Sequence, residues 1–212
     1  MFHAKQIITT GLTIASLLIA TAAYAGDSAE EIKQRVGTGN PVAGKEKSTL
    51  CQGCHGEDGN SAAPNFPKLA GQYAIYIQKQ IHDFKSGKRK DPIMSDMAAT
   101  ITSEQDLLDI SAYFASQKQM KSDHPVVNAA GKQRFLDDNG CVNCHGPNGK
   151  GRAPGDARAP VIGGQHKEYL IKQLTDFKNG ARNNDVSEMM PTVAGFMEEG
   201  DIEAVADYIS GL

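Results

Sequence analysis

Six residues stand out for chemistry, in two like arrangements. Cys51-Gln52-Gly53-Cys54-His55 and Cys141-Val142-Asn143-Cys144-His145 each set two thiols three positions apart, with an imidazole directly after. Together they take up all four cysteines of the 212-residue chain. C-x-x-C-H is the pattern by which a c-type haem is attached. With four Cys and six His in the chain, roughly 0.002 matches are expected by chance, so composition does not explain two. On one helical turn, two thiols at this spacing reach the two vinyl groups on one porphyrin edge. The next residue then turns its imidazole toward the iron. Covalent attachment makes cofactor binding part of folding, as metal binding is in other small domains. The motifs predict two covalently attached haem c groups, held by Cys51, Cys54, Cys141 and Cys144, with His55 and His145 on the irons.

Other uses of these cysteines fit less well. Two disulfides would be the default for an exported chain, but they leave the two histidines unexplained. A zinc ribbon joins its two C-x-x-C units across about 15–20 residues, far less than the stretch from Cys54 to Cys141. A thioredoxin-like dithiol wants a βαβ pattern around it, and none is seen.

The motifs must be positioned by elements that recur with them. Gly71-Gln72 returns as Gly164-Gln165, and Asp83-Phe84-Lys85 as Asp176-Phe177-Lys178, both 93 residues later. Ala112-Tyr113-Phe114 returns as Asp207-Tyr208-Ile209. The chain is therefore a tandem duplication, with Lys118 to Val127 as the expected linker. Each half reads as helix. Asn40 and Pro41 supply a cap and a first helical position leading into the Cys51 motif. Tyr73, Ile77, Ile81 and Phe84 recur at helical spacing, and Gly87 can end that helix. Leu107, Ile110 and Phe114 mark another, with Thr102 and Gln105 spaced as a capping box. Leu170, Leu174 and Phe177, then Ile202, Val205 and Ile209, repeat the scheme. The expectation is an all-α chain with three or four short helices around each haem. Domains of this size have marginal cores, which a large flat apolar cofactor would complete; the chain has no Trp. Gly44 and Gly131, in matching Ala-Gly-Lys strings, let the last helix of each half cross close by near Tyr113 and Tyr208.

The N-terminus reads as a leader. Lys5 precedes a mostly apolar run from Ile7 to Ala20, and Ala23-Tyr24-Ala25 is a small-x-small site, so cleavage is expected before Gly26. The expected division is a signal peptide over 1–25, a first domain over 26–122 and a second over 123–212. The run is shorter than the ~20 apolar residues that span a bilayer. Charge excludes a nucleic-acid reading: 22 Lys and Arg face 25 Asp and Glu, a net −3 with no global basic field. Within that balance, Lys85-Ser86-Gly87-Lys88-Arg89-Lys90 forms a local basic run, either a solvated loop or a patch for an acidic partner.

The chain resembles the cytochrome c4 family, two-haem carriers built from two tandem class I cytochrome c domains. The resemblance covers the whole chain after the leader. It rests on the doubled C-x-x-C-H, the segment Ala63-Pro64-Asn65-Phe66-Pro67-Lys68-Leu69-Ala70-Gly71-Gln72, the Phe-Lys-x-Gly-x-Arg strings ending at Arg89 and Arg182, and a methionine cluster before the last helix of each half. The sixth iron ligand comes from those clusters, because a thioether opposite histidine suits an electron-transfer haem. The candidates are Met94 and Met97 in the first half, and Met189, Met190 and Met197 in the second. The resemblance implies Met94 and Met190, each seven residues before an apolar residue, Ile101 and Met197. The others are core fillers. It also implies that His55 and His145 each donate a ring N–H to a proline carbonyl, with Pro67 and Pro160 the candidates. Arg89 and Arg182 suit haem propionates or are solvated loop residues. His82, His124 and His166 read as surface or capping residues.

The expected function is electron transfer without bond chemistry. The resemblance implies a periplasmic respiratory chain, with redox proteins as partners: a quinol-oxidising complex or other donor, and a terminal oxidase or other acceptor. Peripheral membrane association is compatible with this. A haem enzyme needs an open axial position, and a cysteine-ligated thiosulfate-type haem would need a fifth cysteine. The other competing reading is the haem subunit of a larger oxidoreductase, such as a flavocytochrome sulfide dehydrogenase.

Overall fold

The computed structural model describes residues 28–122, 124–126, 128–138, 140–151 and 159–212. The expected leader and its cleavage site before Gly26 lie outside the described residues, as do Asp123 and Val127 around the expected domain junction.

The first half opens with α1 (Ala29–Val36), started by a reciprocal capping box between Ser28 and Glu31. α2 (Pro41–Lys47) starts as the sequence predicts: Pro41 leads it and the Asn40 side chain accepts from the Val42 and Ala43 amides. α3 (Thr49–His55) carries the first motif. α4 (Ala74–Lys85) buries Ile77, Ile81 and Phe84 and ends before Gly87, whose φ of 73° closes the turn. α5 (Pro92–Ala99) is capped by Asp91, and α6 (Glu104–Ser116) closes the half. The α6 cap corrects the sequence reading by one residue. Ser103, not Thr102, is the N-cap and accepts from the Asp106 amide at 3.3 Å, while Gln105 reaches forward to Asp109. Ile101, two residues before the cap, is buried in the core.

The second half repeats this order. α7 (Ala129–Gln133) runs into a π-helical turn, Arg134–Asp138, before α8 (Val142–His145), which carries the second motif. The π-turn takes up part of the longer stretch from Gly131 to Cys141, compared with Gly44 to Cys51. α9 (Lys167–Lys178), α10 (Met189–Gly195) and α11 (Glu199–Ser210) follow. Among the described residues there is no strand, but each half has more helices than the three or four expected. α1 is one addition: its Arg35 donates to the Ala115 carbonyl at 2.7 Å and so pins it across α6.

Each half has its own core. Phe84, Leu107, Ile110 and Phe114 centre the first; Phe135, Met197, Val205 and Tyr208 belong to the second. The expected helix crossings are present. A Cβ on Gly44 would stand 1.9 Å from the Asp109 carbonyl oxygen, and one on Gly131 would stand 2.0 Å from that of Ala204. No side chain fits at either crossing, and α6 lies against α2, and α11 against α7, as a result.

The halves meet through paired polar groups. The Gln72 side chain binds the backbone of Val161 in both directions, at 2.8 and 2.9 Å. Gln165, its counterpart, does the same to Lys68, at 2.9 and 2.9 Å. The interface therefore has an approximate two-fold relationship that follows the sequence repeat.

Candidate functional site

The ends of α3 and α8 position the motif histidines. Each helix stops at a glycine of positive φ, Gly56 at 84° and Gly146 at 72°, which turns the chain away and leaves the imidazole in the interior. His55 and His145 are buried. His55 Nδ1 lies 2.8 Å from the Pro67 carbonyl oxygen and His145 Nδ1 lies 3.0 Å from that of Pro160. These are the two prolines expected. Because the carbonyl only accepts, Nδ1 carries the proton and Nε2 keeps its lone pair, as a metal-binding imidazole requires. Burial lowers the pKa of both rings, against the opposing pull of the carbonyls. Each ring is thereby kept in the neutral form that binds metals.

Cys51 and Cys141 are half-buried, and Cys54 and Cys144 are exposed. Cys51 packs on the first core and Cys141 on the second. Burial pushes the Cys51 thiol up and that of Cys141 up to about 11.

A cavity of about 680 Å³ lies between these groups and continues across both halves. Cys51, Cys54, His55, Ile77, Phe84 and Met94 line its first lobe, and His145, Leu170, Phe177 and Met190 its second. Two thiols at one edge, a neutral imidazole inside and an apolar wall make a donor set that fits haem c in the first lobe, and the second offers the imidazole of His145 in a like wall, with Cys141 and Cys144 just before it in the chain.

The methionines separate by position. Ala98 and Ala194 are both fully buried, and Lys85 Nζ binds the Ile101 carbonyl as Lys178 Nζ binds that of Met197. These matching contacts superimpose α5 on α10. Met94 then corresponds to Met190, and Met97 to Val193. Met97 also lines the cavity, but its counterpart has no sulfur. Met189 is half-exposed and Met197 is 1% exposed in the second core.

One open alternative is excluded and one expectation is overturned. Arg89 and Arg182 are not solvated loop residues: both are buried and reach the opposite half. His166 is not at the surface either. It occupies the N-cap position of α9, but its ring lies against Ser61 of the first half, Nε2 at 3.0 Å from the carbonyl oxygen. His82 remains exposed, 3.5 Å from Glu104. The basic run is also divided, since Arg89 is buried while Lys88 and Lys90 stay exposed.

Sequence reasoning missed Tyr76, Gln80, Tyr169 and Gln173, which surround the arginines. The signal was available: Tyr-x-x-x-Gln recurs at 76/80 and 169/173, one helical turn apart on an otherwise apolar face. Burial raises the Tyr76 pKa, but the guanidiniums of Arg182 and Arg89 outweigh it and leave the phenol below its usual range.

The cytochrome c family profile matches residues 41–118 and again 128–212. Cytochrome c4 from Pseudomonas aeruginosa is 45% identical over 182 residues, covering 82% of this chain and 89% of that protein. The chain belongs to the cytochrome c4 family. The crystal structure of reduced recombinant cytochrome c4 from Pseudomonas stutzeri agrees with a TM-score of 0.75 at 44% identity, over 82% of this chain and 99% of that one. A further relative is a thiosulfate dehydrogenase electron acceptor from Stutzerimonas stutzeri, 34% identical over 94% of this chain and 92% of its own length. As a cytochrome c4 family member, the chain is an electron carrier with two covalent haem c groups and is not an enzyme. It works with redox partners. Among the described residues no helix is long and apolar enough to cross a membrane.

Proposed function

We propose that Cys51 and Cys54 attach the first haem and Cys141 and Cys144 the second, with His55 and Met94 on one iron and His145 and Met190 on the other. The observation that carries this is the pair of matching bonds, His55 to Pro67 and His145 to Pro160, each fixing a neutral imidazole inside one lobe of the cavity. When bound, haem supplies a one-electron ferrous–ferric couple, and a thioether ligand raises its potential. The protein's share is to hold each imidazole in one tautomer, to keep a methionine on the cavity wall, and to surround the site with Ile77, Phe84, Leu170 and Phe177 so that water is excluded.

The setting we propose is the periplasm, with residues 1–25 removed and two haem domains over 26–122 and 123–212. The donor is a quinol-oxidising complex or a dehydrogenase, and the acceptor a terminal oxidase. The relative named as an electron acceptor of thiosulfate dehydrogenase supports dehydrogenases as donors. The test is mass spectrometry and visible spectroscopy of the exported protein. Two haem additions, no free thiol, two six-coordinate low-spin haems and poor binding of carbon monoxide are expected. Ready carbon monoxide binding at one haem would mean an open axial position and would overturn the ligand assignment.

A further inference from the structure

Met94 and Met190 are carried on segments of different length and build. Met94 follows Arg89 by five positions, and Met190 follows Arg182 by eight. The shorter segment is stiff. Pro92 opens α5, its φ fixed by the ring, and the Asp91 side chain accepts from the Met94 amide at 3.0 Å. The Met94 side chain packs against the first core.

The second half reaches the same place by a longer and strained path. Val186, Ser187 and Glu188 form an exposed stretch before α10. Glu188 has φ 53° and ψ 17°, and it is the one non-glycine residue of positive φ among those described. A side chain costs free energy in that left-handed region, and such a residue persists only where its surroundings hold it. Contacts on both sides do so. The Glu188 carbonyl accepts from the Thr192 amide at 3.2 Å and from its hydroxyl at 2.9 Å. Asp185 Oδ2 accepts from the Met189 amide at 2.7 Å and from the Met190 amide at 3.2 Å, reaching across the strained residue. Among the described residues, the side chains packed on the second core do not include that of Met190.

Holding a thioether against an iron requires the segment that carries it to be ordered. The cost of ordering rises with segment length and with stored strain, and it falls where proline has already restricted the chain. All three differences favour Met94 over Met190. We infer that Asp185 is a positioning residue that retains Met190, and that Met190 is the exchangeable methionine of the pair, giving way to a small nitrogen base such as imidazole before Met94 does. This rests on the assignment of Met94 and Met190 as ligands. Asp185 acts through backbone amides, so any side chain that accepts hydrogen bonds at its position can replace it.

Imidazole titration of the ferric two-haem protein, read by the iron–sulfur charge-transfer band, tests this. Before imidazole is added the band should be about twice that of Met94→Ala or Met190→Ala. A band missing at the start would overturn the ligand assignment and the inference with it; a full band that falls in a single step would overturn the inference alone. Two equal steps are expected, the earlier at an imidazole concentration at least about fivefold below the later. The band left in Met94→Ala should follow the earlier step, and that left in Met190→Ala the later; the reverse order would overturn the inference. Asp185→Ala should move the earlier step down about fivefold and leave the later in place. Asp185→Asn, whose amide oxygen still accepts, should bring it back toward the native position. Glu188→Gly relieves the left-handed residue and should move the earlier step up about fivefold. An earlier step unmoved in Asp185→Ala would overturn the role of Asp185. If Asp185→Ala does not mature, Glu188→Gly decides: an upward shift of the earlier step alone supports the inference, and no shift overturns it.

Discussion

Gln165 holds Lys68 by both of its backbone groups: the side-chain oxygen accepts from the Lys68 amide and the side-chain nitrogen donates to its carbonyl, each at 2.9 Å. Lys68 directly follows Pro67, whose carbonyl orients His55. A side chain of the second half therefore braces the segment that sets the first imidazole. Gln72 returns the arrangement on Val161, directly after Pro160.

Gln165→Leu should leave a buried amide and carbonyl without partners. Each such group costs about 1–3 kcal/mol, so a loss of about 2–6 kcal/mol in unfolding free energy is expected. Hydrogen exchange at the Lys68 amide should accelerate by a matching factor. Unchanged exchange there would mean that the two halves do not brace each other as described.

Gly44→Ala and Gly131→Ala test the helix crossings. Their new methyl groups would sit about 2 Å from backbone oxygens, so α6 and α11 must move. A destabilisation at or above the ~1–3 kcal/mol usual for overpacking is expected. Gly200→Ala in α11 meets nothing within 4 Å and should stabilise by up to ~1 kcal/mol through helix propensity. Thermal melts of the three variants decide it.

Met94→Ala and Met190→Ala should each remove about half of the ferric iron–sulfur charge-transfer band and lower one haem potential. Met97→Ala and Met189→Ala should keep the band. Met197→Ala should keep it too, yet cost about 2–5 kcal/mol because Met197 fills the second core. Loss of the band in Met97→Ala would move the first-half ligand by one turn of α5.

Asp109 gives a pH signature. Its bond to Lys47, then those to the Asn40 amide and Gln105, hold its pKa at about 2. An unfolded Asp titrates near 3.9. A carboxylate lowered on folding contributes stability above the unfolded value, and that contribution is lost as pH falls through the folded one. The α2–α6 contact should therefore weaken between about pH 4 and pH 2. In Asp109→Asn the acid dependence of unfolding should flatten in that window, with lower stability at neutral pH. An unaltered acid limb would show that Lys47 and Asp109 do not pair in solution.

The local chemistry was legible in the residues themselves. Thiol and imidazole spacing, the Asn40–Pro41 start, the apolar periodicity of α4 and α9 and the glycines at the crossings are short-range features, and their physics is complete within a few residues. The offset of 93 between matching strings also announced a repeat. What sequence could not reveal was where polar side chains go when two copies of the repeat face each other. Arg89 within a basic run looks solvated, and His166 looks like a cap. Only the docking of one half on the other buries both, because it brings Gln173 and Tyr169 to Arg89, and Ser61 to His166. Burial is a property of two surfaces meeting, and a single segment carries the residue types for it but not the partner that completes it.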